Sequence, residues 1–258
     1  MKETTTAPGW LLVQRVAAIA ILLGLWSLLI ASGTMPSMLP GVIQIFSGIG
    51  EALTSSIFWA ALSRTLLTAL AGWAIASIIG VLFGLIIGSI KFLDRSTSIL
   101  IDFGRSFPVL ALMPVVIMLL GSNARMEIVV VSLSCLWPVL VQTIYGARRQ
   151  EAAVADTVAV FKIPALLRFR RVLLPSALPF VATGVRISAS IALLVAVGVE
   201  VISQAPGIGR QITLMQQAQR WDLAFAYLIF TGLVGWCLAV ALQQVENRLL
   251  IWKRQDND

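Results

Sequence analysis

The sequence predicts an all-α integral membrane protein with six transmembrane helices, and three observations predict it. Of its 258 residues, 59% are hydrophobic and only 12% are charged, about half the ~25% charged residues of an ordinary soluble domain. The mean hydropathy is +0.93. The charges gather in short clusters, and the windows between them are apolar and near the ~20 residues that cross a hydrocarbon core. The net charge of +7 sits in those clusters rather than on one folded basic face, which excludes nucleic acid as a partner.

The first span is expected around 11–32. Lys2 before it and Ala31-Ser32-Gly33 after it give it the look of a secretory leader. The apolar stretch begins near Trp10, however, is interrupted only by Arg15, and leads into more membrane-like sequence. It is read as an uncleaved helix. A loop with Pro36 and Pro40 follows, then an amphipathic piece near 42–55. Charge-free windows mark the second span (Thr65 to Ile90), the third (Phe107 to Ala124), the fourth (Ile128 to Ala147), the fifth (Ser176 to Ser203, broken by Arg186) and the sixth (Leu223 to Val245). No internal repeat, low-complexity tract or second domain is visible, so 1–258 is read as one transmembrane domain.

Orientation follows from the cations. With the N-terminus in the cytoplasm, fourteen of the nineteen Lys and Arg fall inside, among them Lys91, Arg95, Arg105, Arg148, Arg149 and Arg168. Arg64, Arg125, Arg210 and Arg220 fall outside, and Arg186 lies within a span. Six spans then return the C-terminus to the cytoplasm.

Composition also limits the chemistry. There is no histidine, which removes imidazole proton relays, His-based zinc sites and the Ser-His-Asp triad. Cys135 and Cys237 each sit alone inside an apolar run and read as buried thiols. No metal site and no catalytic nucleophile–base pair is expected.

Gly80, Gly84 and Gly88 repeat every four residues on the second span. Such a face lets backbones approach closely in lipid, either within the fold or between subunits. Pro108 and Pro114 bracket a break or kink in the third span. The backbone groups it frees need protein or a water-filled cavity, so the segment is either a cavity wall or a structural kink. Arg186 lies eleven residues, roughly 15 Å along a helix, beyond Pro175, too deep to snorkel easily. It is a candidate for contact with an anionic solute or for a structural ion pair. Glu200, near the other end of the same helix, is a candidate gate or ion-pair partner.

The segment 148–175 breaks the apolar pattern. Its six cations, Arg148, Arg149, Lys162, Arg168, Arg170 and Arg171, each cost about 2.5–3.5 kcal/mol at a bilayer centre, against about 0.3–0.6 returned by an apolar residue. The segment therefore lies outside the membrane. Val154, Val158 and Phe161 form one helical stripe, Pro164 breaks it, and Leu166, Phe169 and Leu173 form another. Two short amphipathic helices ended by Pro175 are predicted, lying on the lipid surface or in a groove of a soluble partner.

The stretch from Asp156 to Pro175, DTVAVFKIPALLRFRRVLLP, resembles the EAA loop of ABC-importer permeases. Aligned back from Leu174-Pro175, Asp156 takes the place of the Glu, Thr157 and Val158 of the two Ala, and Lys162 of the turn Gly. Pro164 stands where it can supply the turn that glycine otherwise permits. The literal Glu151-Ala152-Ala153 lies five residues too early. Ser63-Arg64, SFPVLALMP (Ser106 to Pro114), LPSALPFVATGVRIS (Leu174 to Ser188), Glu200, Gly207-Ile208-Gly209 and ENRLLIWKR (Glu246 to Arg254) follow the order of one subfamily, the permeases for nitrate, sulfonates, taurine and related solutes.

The resemblance implies the type I, MetI-like importer permease fold, with an extra N-terminal helix about 11–32, a core about 56–248 and a coupling loop about 148–175. It implies two cytoplasmic ABC ATPase subunits, a second permease copy as a homodimer, an external solute-binding protein, a small-molecule solute, and the bacterial inner membrane as the site. Asp156, Lys162, Pro164, Arg168, Arg170, Arg171, Leu174 and Pro175 would form the ATPase-coupling element. The chain itself would bind no cofactor, ATP-Mg belonging to the partner ATPase; no phosphate-binding Gly-x4-Gly-Lys-Ser/Thr loop occurs here. The family often carries Arg at the position of Arg186, which favours a structural role there. The competing class is an ion-coupled secondary transporter with no ATPase. Such carriers place acids or histidines near mid-membrane, whereas Asp102, Glu127 and Glu200 fall near predicted span ends.

Overall fold

A computed structural model describes residues 9–36, 38–149, 160–161 and 163–249. The fold is all-helical. Its elements are α1 (Gly9–Ala31), α2 (Val42–Thr54), α3 (Ser56–Ser89), α4 (Lys91–Ser106), α5 (Met113–Leu120), α6 (Ala124–Arg148), α7 (Ala165–Arg168), α8 (Leu174–Ser203), α9 (Ile208–Gln217) and α10 (Trp221–Leu249). Among the described residues, five helices are long and apolar enough to span a bilayer, or six when the bent pair α4 and α5 is counted as one span.

The chain divides into two compact units, Met1–Phe58 with Gln211–Phe230, and Trp59–Arg210 with Thr231–Asp258. In the first, the Trp26 indole N–H donates to the Pro40 carbonyl at 3.2 Å, tying α1 to the loop after it. Gly48 of α2 meets the Asp222 backbone so closely that a Cβ would stand 2.7 Å from its carbonyl oxygen. Phe58 packs on Tyr227 and Phe230, with ring centroids 4.9 and 5.0 Å away. Arg220 joins Glu51 and Asp222 at 2.6 and 3.0 Å.

The second unit holds the core. α3 and α6 run parallel. Thr68 meets Glu127, and Gly72, Gly80, Gly84 and Gly88 meet Val131, Val139, Thr143 and Ala147, every pair at the same offset of 59 residues. A Cβ on Gly80 would lie 2.9 Å from that of Val139, and on Gly84 2.5 Å from that of Thr143. The glycine face is thus spent inside the fold, against α6. α8 runs antiparallel to α6. Gly146 abuts Ala177 and Phe180, Gly184 abuts Pro138 and Gln142, and the Cys135 thiol donates to the Ser188 carbonyl at 3.3 Å. The Trp73 indole crosses from α3 to the Val185 carbonyl and the Ser188 hydroxyl, at 2.9 and 3.1 Å. Between these helices lies a core of small residues, Ala69, Ala76, Val131, Cys135, Ala192 and Ala196. That suits helices held by close packing rather than by exclusion from water.

Two expectations need correction. The third span does not begin at Phe107. Helix α4 comes first, and the chain bends by 77° between α4 and the segment Val109–Leu120. Asp102 and Arg105 made this look like the end of a loop, but they lie inside helix α4. Nor does Pro175 end a separate amphipathic helix. From Leu166 to Ser203 the chain is one helix of 38 residues. A π-turn at Phe169–Leu173 sets the Leu174 N–H on the Phe169 carbonyl, five residues back. That shift of register lets Pro175, which has no N–H to donate, pass without breaking the rod.

Candidate functional site

Two charged places stand out in the second unit. At one end of the bundle, where α3 and α6 begin and α8 ends, Glu127 and Glu200 are buried, 1% and 0% exposed. Each has a threonine from α3. The Thr65 hydroxyl donates to Glu200 Oε1 at 2.7 Å and the Thr68 hydroxyl to Glu127. The two carboxyls are close neighbours. The turn after α8 folds back to finish the set. Gly209 N–H donates to Glu200 Oε2 at 2.7 Å, and Ile208 N–H to the Thr65 hydroxyl at 2.9 Å. Gln204 starts the turn with a left-handed φ of 57°. Gly207 is needed because any Cβ there would run into the Glu200 carboxylate. A buried acid is tolerated only when its lone pairs are filled, and here two threonines of α3 and the backbone after the turn supply the donors.

The second place is the bend between α4 and α5. α4 climbs antiparallel along α6: Asp94 pairs with Arg148, and ten residues on Gly104 lies against the Trp137 ring, where only a glycine fits. At the bend, Phe107, Pro108 and Leu110 wall a cavity of about 490 Å³ with Trp137, Pro138, Ile191 and Val195. Arg105 and Ser134 also line it. A smaller cavity of about 140 Å³ continues from Arg105 and Val141 towards Asp94 and Arg148. The two form a chain of spaces along α6, one side apolar and the other charged.

A cavity at a broken helix inside a bundle is an arrangement that transport proteins use. The sequence profile of the binding-protein-dependent transport system inner membrane component matches residues 76–250. The chain belongs to this family. It is an ABC importer permease of the binding-protein-dependent type. It shares 26% identity over 250 residues, 95% of this chain and 88% of the relative, with a putative aliphatic sulfonates transport permease protein of Bacillus subtilis. It shares 27% identity over 237 residues, 86% of this chain and 84% of the relative, with a nitrate import permease protein of Synechocystis. A solved inward-facing MetNI methionine ABC transporter has the same fold, with a TM-score of 0.64 and 15% identity over 74% of this chain and 95% of that one.

Within this permease the residues marked by sequence are spread over several places. Pro108 lines the large cavity, while Pro114 sits in the first turn of α5. Arg186 does not line either cavity; its guanidinium pairs with Glu246 of α10 at 3.1 Å. Glu200 is far from it along α8, locked in the carboxyl pair. Arg168, Arg170, Arg171, Leu174 and Pro175 are exposed, and Pro164 accepts the Arg168 N–H at 2.9 Å to start α7. Asp156 and Lys162 lie outside the described residues.

Sequence reasoning missed Glu127, Thr65, Thr68, Arg105 and Trp137. A signal existed for the threonines: Thr65 and Thr68 are three apart on an apolar helix, so they share a face. For Arg105 the signal was its setting, a charge only two residues before the helix-breaking Phe107-Pro108.

Proposed function

We propose that this permease forms the translocation pathway for a small solute such as nitrate, a sulfonate or taurine, and is driven through segment 156–175 by a separate cytoplasmic ATPase that carries ATP-Mg. It works as one of two copies, a homodimer, in the bacterial inner membrane with both termini in the cytoplasm, and takes its solute from an external binding protein. The sulfonate and nitrate permeases among its relatives support the solute class.

One observation carries the coupling. The exposed arginines and the cavity wall lie on a single rod. Arg168, Arg170 and Arg171 stand at one end of the 38-residue helix, and Ile191 and Val195 line the cavity further along it. From Arg171 to Ile191 is twenty residues, about 30 Å of helix. A rigid element of that length transmits a push at its end as a displacement at its middle, the kind of rigid-body motion that links distant sites. The competing ion-coupled carrier draws its one support from the buried pair Glu127 and Glu200. That pair is closed by its own hydrogen-bond donors and borders neither cavity, which is unlike an ion relay.

The test replaces Arg168 and Arg171 with Glu. Membrane insertion and yield stay as in the parent. Co-purification of the ATPase and ATP-driven uptake in proteoliposomes each fall at least tenfold. Normal assembly with normal uptake would remove the docking role.

A further inference from the structure

The cation at the helix bend has the strongest unexplained position in the molecule. The register of α4 on α6 sets its depth. Asp94 pairs with Arg148, and Gly104 meets Trp137. Trp137 is eleven residues from Arg148, about 16 Å along the axis, or half of a ~30 Å hydrocarbon core. Arg105 is therefore a mid-depth charge, not a loop residue.

Its setting is not that of a structural ion pair. Arg105 meets Asp102, one turn back, at 3.0 Å, but the two side chains are 53% and 64% exposed. Open pairs of this kind contribute little to stability, and an apolar pair would suit lipid better. A charge kept at such depth faces a water-filled space or a solute path.

The sign of the site comes from the linings. Among the described residues that line the large cavity, Arg105 is the sole charged one, and the other walls are apolar apart from Ser134 and the Trp137 indole. Asp102 lines the smaller space beyond, not this one. A solute in the large cavity therefore meets a positive guanidinium fork over apolar walls, the arrangement that takes a planar or tetrahedral oxyanion.

We propose that Arg105 reads solute charge at the bend: a small oxyanion in the large cavity bonds its guanidinium, and Asp102 is the resident counter-ion that the solute replaces. The proposal rests on the permease reading above and adds to it the residue that selects anions. It predicts opposite effects for the two members of the pair. Removing Arg105 abolishes the attraction; removing the Asp102 charge strengthens it.

The experiment uses the complete transporter, with Cys237→Ser throughout and Ser134→Cys as a reporter in the cavity wall. Reaction rates with anionic and cationic methanethiosulfonates of equal size give a local charge ratio that needs no knowledge of the solute. The ratio favours the anion in the parent, falls roughly tenfold in Arg105→Gln, consistent with one unit charge a few ångströms away in a partly wet site, returns in Arg105→Lys, and rises in Asp102→Asn. In parallel, uptake of nitrate and of ethanesulfonate at saturating binding protein falls at least tenfold in Arg105→Gln, with assembly intact. An unreactive reporter thiol in the Ser134→Cys parent, a ratio indifferent to Arg105→Gln, or unchanged uptake overturns the proposal. Where Arg105→Gln does not assemble, Asp102→Asn decides: a ratio that stays or falls marks a structural pair and overturns it. A parent that moves neither anion also overturns it, while ATPase coupling through Arg168 and Arg171 is judged separately.

Discussion

Glu200 and Arg105 are both charges set among apolar helices of one bundle, and the protein treats them in opposite ways. Glu200 is 0% exposed, and both of its oxygens are bonded, one to the Thr65 hydroxyl and one to the Gly209 N–H. Arg105 is 53% exposed, beside a cavity of about 490 Å³. The first is closed by donors from α3 and from Gly209 after the turn; the second is left open by a bend that takes α4 away from α5. A charge that a fold uses to hold itself together is surrounded. A charge that something else must reach is not. The two places are linked through α8: Val195 lines the cavity, and Glu200 lies five residues on.

The contrast is broken most severely at the closed end. Glu200→Ala strips the acceptor from two buried donors, the Thr65 hydroxyl and the Gly209 N–H, and leaves Glu127 without its neighbour. Orphaned buried groups cost about 1–3 kcal/mol each, so a loss of about 3 kcal/mol is expected, read as a lowered unfolding temperature in detergent. Adding Thr65→Val removes the hydroxyl that Glu200 bonded but frees the Ile208 N–H; the double variant is still less destabilised than the sum of the two singles, because both singles lose the same Thr65–Glu200 bond. Simple additivity would mean that the two side chains do not act as a unit.

Why one of these places was legible in the sequence and the other was not has a physical answer. The spans, the amphipathic α2 and the glycine face were visible because each is a periodic pattern within one segment. Glu200 and Gly207-Ile208-Gly209 stood out as motif pieces, but not their partnership, since nothing local reveals that a turn folds back onto an acid seven residues earlier. Glu127 was read as a span end. It is a buried acid because α3 runs parallel to α6 and brings Thr68 beside it. The bend was anticipated from its prolines but its start was misjudged, because Asp102 and Arg105 ended the charge-free window. Hydropathy reports what lipid excludes and not what a cavity admits. Pro175 misled for the opposite reason: a strong local breaker was absorbed by a π-turn.

The open side is expected to yield less when cut. Ile191 lines the large cavity, so Ile191→Ala enlarges a space that already exists rather than opening a sealed void. Buried Ile→Ala changes cost about 2–5 kcal/mol; here about 1 kcal/mol is expected, well below Glu200→Ala in the same melting assay. A loss equal to that of Glu200→Ala would show that the cavity is closed and tightly packed in the membrane, and the contrast between the two places would fail.

The smallest effect belongs to Arg186, which sharpens the comparison because it is intermediate. Its side chain is 35% exposed and meets that of Glu246, 16% exposed, at 3.1 Å. This pair joins α8 to α10, touches neither cavity and is more buried than Arg105 with Asp102. Arg186→Gln leaves a half-buried carboxylate without its counter-charge, for which about 1 kcal/mol is expected after allowing for solvent screening. Glu246→Gln in the same chain restores much of the loss, because the orphaned charge is gone. Uptake at saturating binding protein changes less than twofold in either variant. If Arg186→Gln instead removed uptake while the double variant kept its stability, Arg186 would join Arg105 on the solute path. Depth in the bundle would then matter more than cavity lining in deciding which cations meet the solute.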